Sequence, residues 1–176
     1  MMLGLCQGGA VRLAVSTGKL MVGEGIETCL SAMQAKGIPA WATLGANHMP
    51  TLATPETVTE ITILADNDAA GISAALNSAF QWEIGGHEVR IAVPPVGNDF
   101  NDTLRAEGGQ DQIKQAVQGA EDYRSFLIER AEASQVDMLA DTVTAFLARV
   151  AHELRNSGKI AVRWNNLALE NLNFPS

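Results

Sequence analysis

Glu60-Ile-Thr-Ile-Leu-Ala-Asp-Asn-Asp-Ala-Ala-Gly71 is a short run of β-branched and apolar residues that stops abruptly at two aspartates one residue apart. The run has the composition of a buried strand. Alternate side chains of a strand share a face, so Asp66 and Asp68 converge on one point while Asn67 turns away. Two carboxylates about 4 Å apart repel by roughly 4 kcal/mol at an effective dielectric near 20. A bound divalent cation reverses that sign, which makes the pair a candidate metal site.

Other strands and helices alternate around this stretch. Upstream, Val11 and Leu13 alternate with Arg12 as an edge strand, and Leu20-Met-Val22 is a short buried strand that runs into Gly23-Glu-Gly25. A helix begins near Glu27 and stops at Gly37. The segment from Ile38 to Leu44 reads as the next strand, followed by a turn at Gly45-Ala-Asn47 and a short helical turn through Met49 and Leu52. Downstream, Ala69 to Ile84 is a helix ending at Gly85-Gly86. Glu88 to Val93 is a further core strand, and Val96 to Leu104 is an acidic, turn-rich segment leading into a short helix. This alternation predicts an α/β fold, a parallel sheet with helices on both faces. Such sheets gather ligands at the carboxyl ends of their strands, where Glu24, Asp66 and the Asp99/Asp102 segment all fall.

The character changes past Gly119. Glu121 to Ala133 reads as a polar helix, and Val136, Leu139, Val143, Phe146, Leu147, Val150 and Leu154 recur at helical spacing before Gly158. A short strand is expected at Ile160-Ala-Val162. We therefore expect two parts, a domain over residues 1–119 and a C-terminal helical extension over residues 120–176.

A net charge of −8 with only 12 lysines and arginines, and no basic stripe, argues against tight unaided binding of nucleic acid. Cys6 and Cys29 are too few for a disulfide framework or a cysteine zinc site. No apolar run approaches the ~20 residues of a membrane span, and the start lacks the pattern of a signal peptide, so a cytoplasmic protein is expected.

Competing motifs fit less well. As an EF-hand loop, the stretch from Asp66 has Ala70 and Asn77 where ligands belong. A haloacid-dehalogenase-type phosphatase expects threonine or valine where Ala69 and Ala70 stand. Two solvated aspartates capping a helix are the bland alternative. Gly23-Glu-Gly25 lacks the third glycine of a dinucleotide loop, since position 28 is Thr28, and a phosphate would not welcome Glu24 there. Flanking glycines instead let the chain turn tightly around an exposed carboxylate. His152 lacks the second histidine of a zinc-protease helix, and His48 and His87 read as isolated structural histidines in turns.

Four segments in this order, Val22-Gly-Glu-Gly-Ile-Glu-Thr28, Ala42-Thr-Leu-Gly-Ala46, Ile63-Leu-Ala-Asp-Asn-Asp-Ala-Ala-Gly71 and Gly97-Asn-Asp-Phe-Asn-Asp-Thr-Leu104, resemble the Toprim domain, in the variant found in phage and plasmid primases and primase-helicases. The resemblance spans about Cys6 to Gly119. It implies a Toprim-like (Rossmann-like) sheet, with Glu24 as general acid or base and a metal contact, and Asp66 and Asp68 as the magnesium-binding pair. Gly23, Gly25, Gly45 and Gly71 match turn glycines, and Asp99 and Asp102 the acidic segment that closes the site. Many primases carry an aspartate where this chain has Thr28, a role Glu27 could take over from the preceding position.

The resemblance implies magnesium- or manganese-dependent nucleotidyl transfer, with DNA, an RNA primer and nucleoside triphosphates as partners. A bacterial-type primase also has a zinc module and a basic polymerase half, which this chain lacks. A split or truncated primase that needs a primase or helicase partner is therefore expected. Two alternatives stay open, a small Toprim nuclease and a non-catalytic binding module. Topoisomerase chemistry fits least, because Tyr123 is the only tyrosine and lies outside the matched segments.

Overall fold

A computed structural model describes residues 8–16 and 18–133. The stripe from Val136 to Leu154 and the strand expected at Ile160–Val162 lie outside the described residues. Contacts divide the chain between Ile128 and Glu129. The first unit holds a six-stranded sheet, and Ala120, Tyr123 and Phe126 are buried within it.

The strands are β1 (Val11–Arg12), β2 (Gly18–Gly23), β3 (Ala40–Ala42), β4 (Val58–Leu64), β5 (Glu88–Ala92) and β6 (Glu121–Asp122), in the spatial order β1-β3-β2-β4-β5-β6. The four inner strands are mutually parallel, as the alternating pattern predicts. Both edges depart from that expectation, since β1 pairs antiparallel with β3 and β6 antiparallel with β5. Two-residue edge strands need no crossover helix, so either direction is open to them.

Among the described residues there are five helices: α1 (Ile26–Lys36), α2 (Ala69–Ile84), α3 (Phe100–Arg105), α4 (Gly109–Gln118) and α5 (Tyr123–Ala133). A 3₁₀ turn, Ala46–Thr51, lies between β3 and β4. The inner strands are buried on both faces because α1, α3 and α4 pack together on one side, while α2 and the 3₁₀ turn pack with each other. Strand alternation sorts the core accordingly. Met21, Ala40, Ala42, Leu64 and Ala92 meet Cys29 and Ala32 of α1, Phe100 of α3 and Ile113 and Val117 of α4. Leu20, Val22, Ile61, Ile63 and Ile91 are the buried residues of the alternate set.

Local chemistry sets the helix ends. Glu27 in the first turn of α1 and Lys36 in its last complement the helix dipole, and Gly37 closes the helix at φ 71, donating its N–H to Met33 O at 2.8 Å. That cap brings the chain through Ile38-Pro39, whose carbonyl accepts from Met21 N at 2.8 Å, so β3 is shorter than the expected Ile38–Leu44 segment. The helix expected from Glu121 starts two residues later, because Glu121 and Asp122 pair with Ile91 and Arg90 on the open edge of β5. Helix α4 was not foreseen, although Ile113 and Val117 are spaced one turn apart.

Phe100 is fully buried where α1, α3 and α4 converge under the sheet. Phe100→Ala should therefore cost about 3–5 kcal/mol of stability, read as a lower urea midpoint at unchanged slope.

Candidate metal centre

Strand order decides where the carboxylates meet. From β2 the chain passes through α1 to β3 on one side, and β4 lies on the other side of β2 and leads through α2 to β5. The loops leaving β2 and β4 thus diverge to opposite faces, opening a crevice at the carboxyl ends of these strands. Glu24 follows β2 directly, and Asp66 and Asp68 follow β4. The loop after β5 joins them, with Asn67 N donating to Asn98 O at 2.7 Å.

Asp66 is the centre of the arrangement. Its Oδ1 is buried and has no hydrogen-bond partner. Its carboxyl is pushed up to about 6, first by burial and then by the charges of Glu24, Asp99 and Asp68. The groups that raise it identify its neighbours, since each adds negative charge where one is already hard to solvate. Gly71 makes this packing possible. A Cβ there would stand 2.5 Å from Asp66 O and 2.9 Å from Asp66 Cβ, so any larger residue would force the first turn of α2 away from the aspartate.

Asp68 serves as the N-cap of α2, its Oδ1 accepting from Gly71 N at 2.8 Å. The bland capping role is thus real, and it leaves Oδ2 for another partner. Asp99 caps α3 in the same manner, accepting from Asp102 N at 2.7 Å. Asp102 turns back on its own loop to accept from Asn98 N at 3.0 Å, and Thr103 Oγ1 anchors that loop on Val96 O at 2.7 Å. Glu27 is exposed on the first turn of α1 and is not among the charges that raise Asp66. Of the six acidic candidates, the fold brings Glu24, Asp68 and Asp99 to Asp66, and it employs Asp102 in loop structure.

The candidate glycines divide too. Gly23 is buried, and a Cβ there would press on Cys29 Sγ at 3.0 Å. Gly25 lies at φ −93, ψ 149, a conformation open to any residue, and Gly45 has only ordinary contacts with the His48 ring. His87 is a structural histidine, its Nδ1 2.9 Å from Val58 O and its Nε2 3.0 Å from Thr54 Oγ1. Tyr123 is buried beside the amino-terminal half of β5, away from the carboxylates, and burial pushes its hydroxyl up to about 12.

Hard carboxylate oxygens around an orphaned, buried Asp66 Oδ1 suit a magnesium-like cation. Among the described residues, no three His, Cys, Asp or Glu side chains are already gathered as a metal cage. A cation would have to draw Glu24 and the free oxygen of Asp68 toward Asp66.

In metal-free protein the folded state keeps the Asp66 proton up to about pH 6, whereas the unfolded chain releases it near the ordinary value of 3.8. The native state therefore binds more protons between these values, and stability at this group rises as pH falls from 7 to 5. Urea unfolding in a chelator should show that gain in the unaltered chain and a smaller one in Asp66→Asn.

A family model described as the Toprim domain matches residues 19–110. The primase fragment of the bacteriophage T7 primase-helicase is 26% identical with a TM-score of 0.50, over 60% of this chain and 46% of that one. The DnaG catalytic core is 25% identical with a TM-score of 0.53, over 79% of this chain and 46% of that one. The Aquifex aeolicus primase, zinc-binding and RNA polymerase domains, shares the fold at 24% identity and a TM-score of 0.50, over 66% of this chain and 29% of that one. This chain thus spans less than half the length of each of these structures. No curated protein sequence matches it. With the matched segment covering the crevice, its carboxylates and the helices that Asp68 and Asp99 cap, the chain belongs to the Toprim domain family.

Proposed function

We propose that this Toprim domain is the magnesium-dependent catalytic part of a DNA primase, joining nucleotides on a nucleic-acid template. The observation that carries the reading is the buried, unpartnered Asp66 Oδ1 at the strand switch point, crowded by Glu24, Asp68 and Asp99. Likeness at 25–26% identity to primase fragments directs that site toward nucleotidyl transfer.

Asp66 and the free oxygen of Asp68 would hold magnesium, or manganese, with Glu24 at its edge. When bound, the cation supplies positive charge to the phosphate oxygens of an incoming nucleoside triphosphate. Glu24 accepts the proton of the attacking 3′-hydroxyl, a task suited to a carboxylate on a loop fixed by its own backbone, Leu44 N donating to Glu24 O at 2.9 Å. Asp99, tied down as a helix cap, keeps Asp66 costly to leave without a cation. In phosphoryl transfer most of the work is positioning and charge stabilisation, and these rigid strand ends are placed for both.

Template and primer need a basic surface. With a net charge of −8 the chain supplies little of it, and a polymerase half on the same or a partner polypeptide provides the rest. Among the described residues no helix is long and apolar enough to cross a membrane.

Magnesium at a hundredfold excess over its Kd should stabilise the fold by about 2.7 kcal/mol, read as a raised melting temperature. Asp68→Asn should lose both this shift and turnover, whereas Glu24→Gln should keep most of the shift and lose turnover. Equal loss of the shift in both variants would make Glu24 a ligand rather than a proton acceptor. Incubation with labelled DNA and RNA separates the chemistries: extension only when a polymerase half is added supports the primase, and unaided metal-dependent cleavage that Glu24→Gln stops would replace it with a nuclease.

A further inference from the structure

Glycine flanks Glu24 on both sides, so the chain itself does little to fix this residue. The bonds that fix it come from two consecutive residues after β3. Thr43 N donates to Gly23 O at 3.0 Å and Leu44 N donates to Glu24 O at 2.9 Å. The carbonyls on either side of the Glu24 Cα are both held, and with them the two peptide planes that set its φ and ψ. From that backbone the carboxylate acts on Asp66, on which, after burial, its charge is the largest influence.

Holding both carbonyls has a cost. Leu44 takes a left-handed φ of 60, alone among the non-glycine described residues, a conformation that needs its surroundings to hold it. The buried side chain of Thr43 closes the turn around it. Its hydroxyl shares one proton between Gly23 O at 3.3 Å and Gly45 O at 3.2 Å, tying the residue after Leu44 to the residue before Glu24. Each of these carbonyls also accepts a backbone N–H, Gly23 O from Thr43 N and Gly45 O from His48 N at 3.0 Å. Neither acceptor needs the hydroxyl to be satisfied, so what the hydroxyl adds is the link between them.

We propose that Thr43 is a positioning residue for Glu24, its hydroxyl clamping the Gly23–Glu24 backbone to the strained turn at Leu44 and so keeping the carboxylate at the edge of the metal centre. A proton acceptor that wanders slows the chemical step and leaves substrate binding alone, because its contact with the reacting hydroxyl matters most in the transition state. The inference rests on the proposed role of Glu24 and adds the residue that holds it in place.

The test compares the full chain with Thr43→Val, which keeps the branched shape without the hydroxyl, and with Thr43→Ser, which keeps the hydroxyl. Because Gly23 O and Gly45 O retain their backbone donors, Thr43→Val orphans no acceptor and should fold. Amide hydrogen exchange in metal-free protein should be about 10-fold faster at Leu44 in Thr43→Val, the scale of one hydrogen bond, with the inner amides of β2 and β4 unchanged. Thr43→Ser should restore the slow exchange. With magnesium and a polymerase half supplied, Thr43→Val should lower kcat about 10-fold at unchanged KM for the triphosphate, and Thr43→Ser should recover most of it. The magnesium melting shift should be the same in all three. Unchanged exchange at Leu44, exchange raised alike throughout the sheet, or a Thr43→Val chain that does not fold would overturn the clamp. Faster exchange with kcat unchanged, or with the loss confined to KM, would overturn the positioning role while leaving the role of Glu24 intact. An unaltered chain with no magnesium shift or no turnover would overturn the proposed function, and this role for Thr43 with it.

Discussion

A carboxylate oxygen with no partner, buried among other carboxylates, is the constraint on which this molecule turns. Asp66 could be relieved by an arginine or by an amide, and among the described residues the fold offers its Oδ1 neither. Around it lie Glu24, Asp99 and Asp68, all of the wrong sign. Such an arrangement is unfavourable without a counter-charge, and folded proteins tolerate that kind of local cost mainly where a ligand will relieve it. Gly71 shows how tightly the arrangement is built, because the first turn of α2 rests directly on Asp66 and admits no side chain between them.

The same aspartates start helices and surround the site. Asp68 caps α2 and Asp99 caps α3, each accepting a backbone N–H three residues on. Capping holds a carboxylate still at little entropic cost, which is useful where a metal must find its ligands in place. Division of labour follows from the two oxygens of each group. One can satisfy the helix while the other faces the crevice, and so the capping and metal-binding readings of an aspartate after a strand are compatible.

An acidic edge that suits a cation also repels phosphates. The loops at that edge, residues 23–26, 43–51, 65–71 and 93–102, carry no lysine or arginine to offset the repulsion. Separation of roles is consistent with the overall charge. On the proposed reading, the Toprim unit would gather metal and nucleotide, and a basic surface elsewhere would grip the polymer.

Much was legible in sequence because it depends on local rules. A β-branched run ending in Asp-x-Asp puts its carboxylates just past a strand end, although β4 closes at Leu64 and strand alternation does not extend to them, and βα alternation makes the inner sheet parallel. The four ordered segments also carried the family. What only the tertiary structure decided involves partners distant in the chain. Nothing in Glu121-Asp122 favours a strand, and the unpaired edge of β5 makes it one. Local pattern could not say that Asp99 would reach Asp66 while Asp102 folded back on Asn98, because that choice belongs to the packing of the β5 loop against the β4 loop through Asn67 and Asn98. The bond from Leu44 N to the backbone carbonyl of Glu24, 20 residues away in sequence, likewise exists only once β2 and β3 lie side by side.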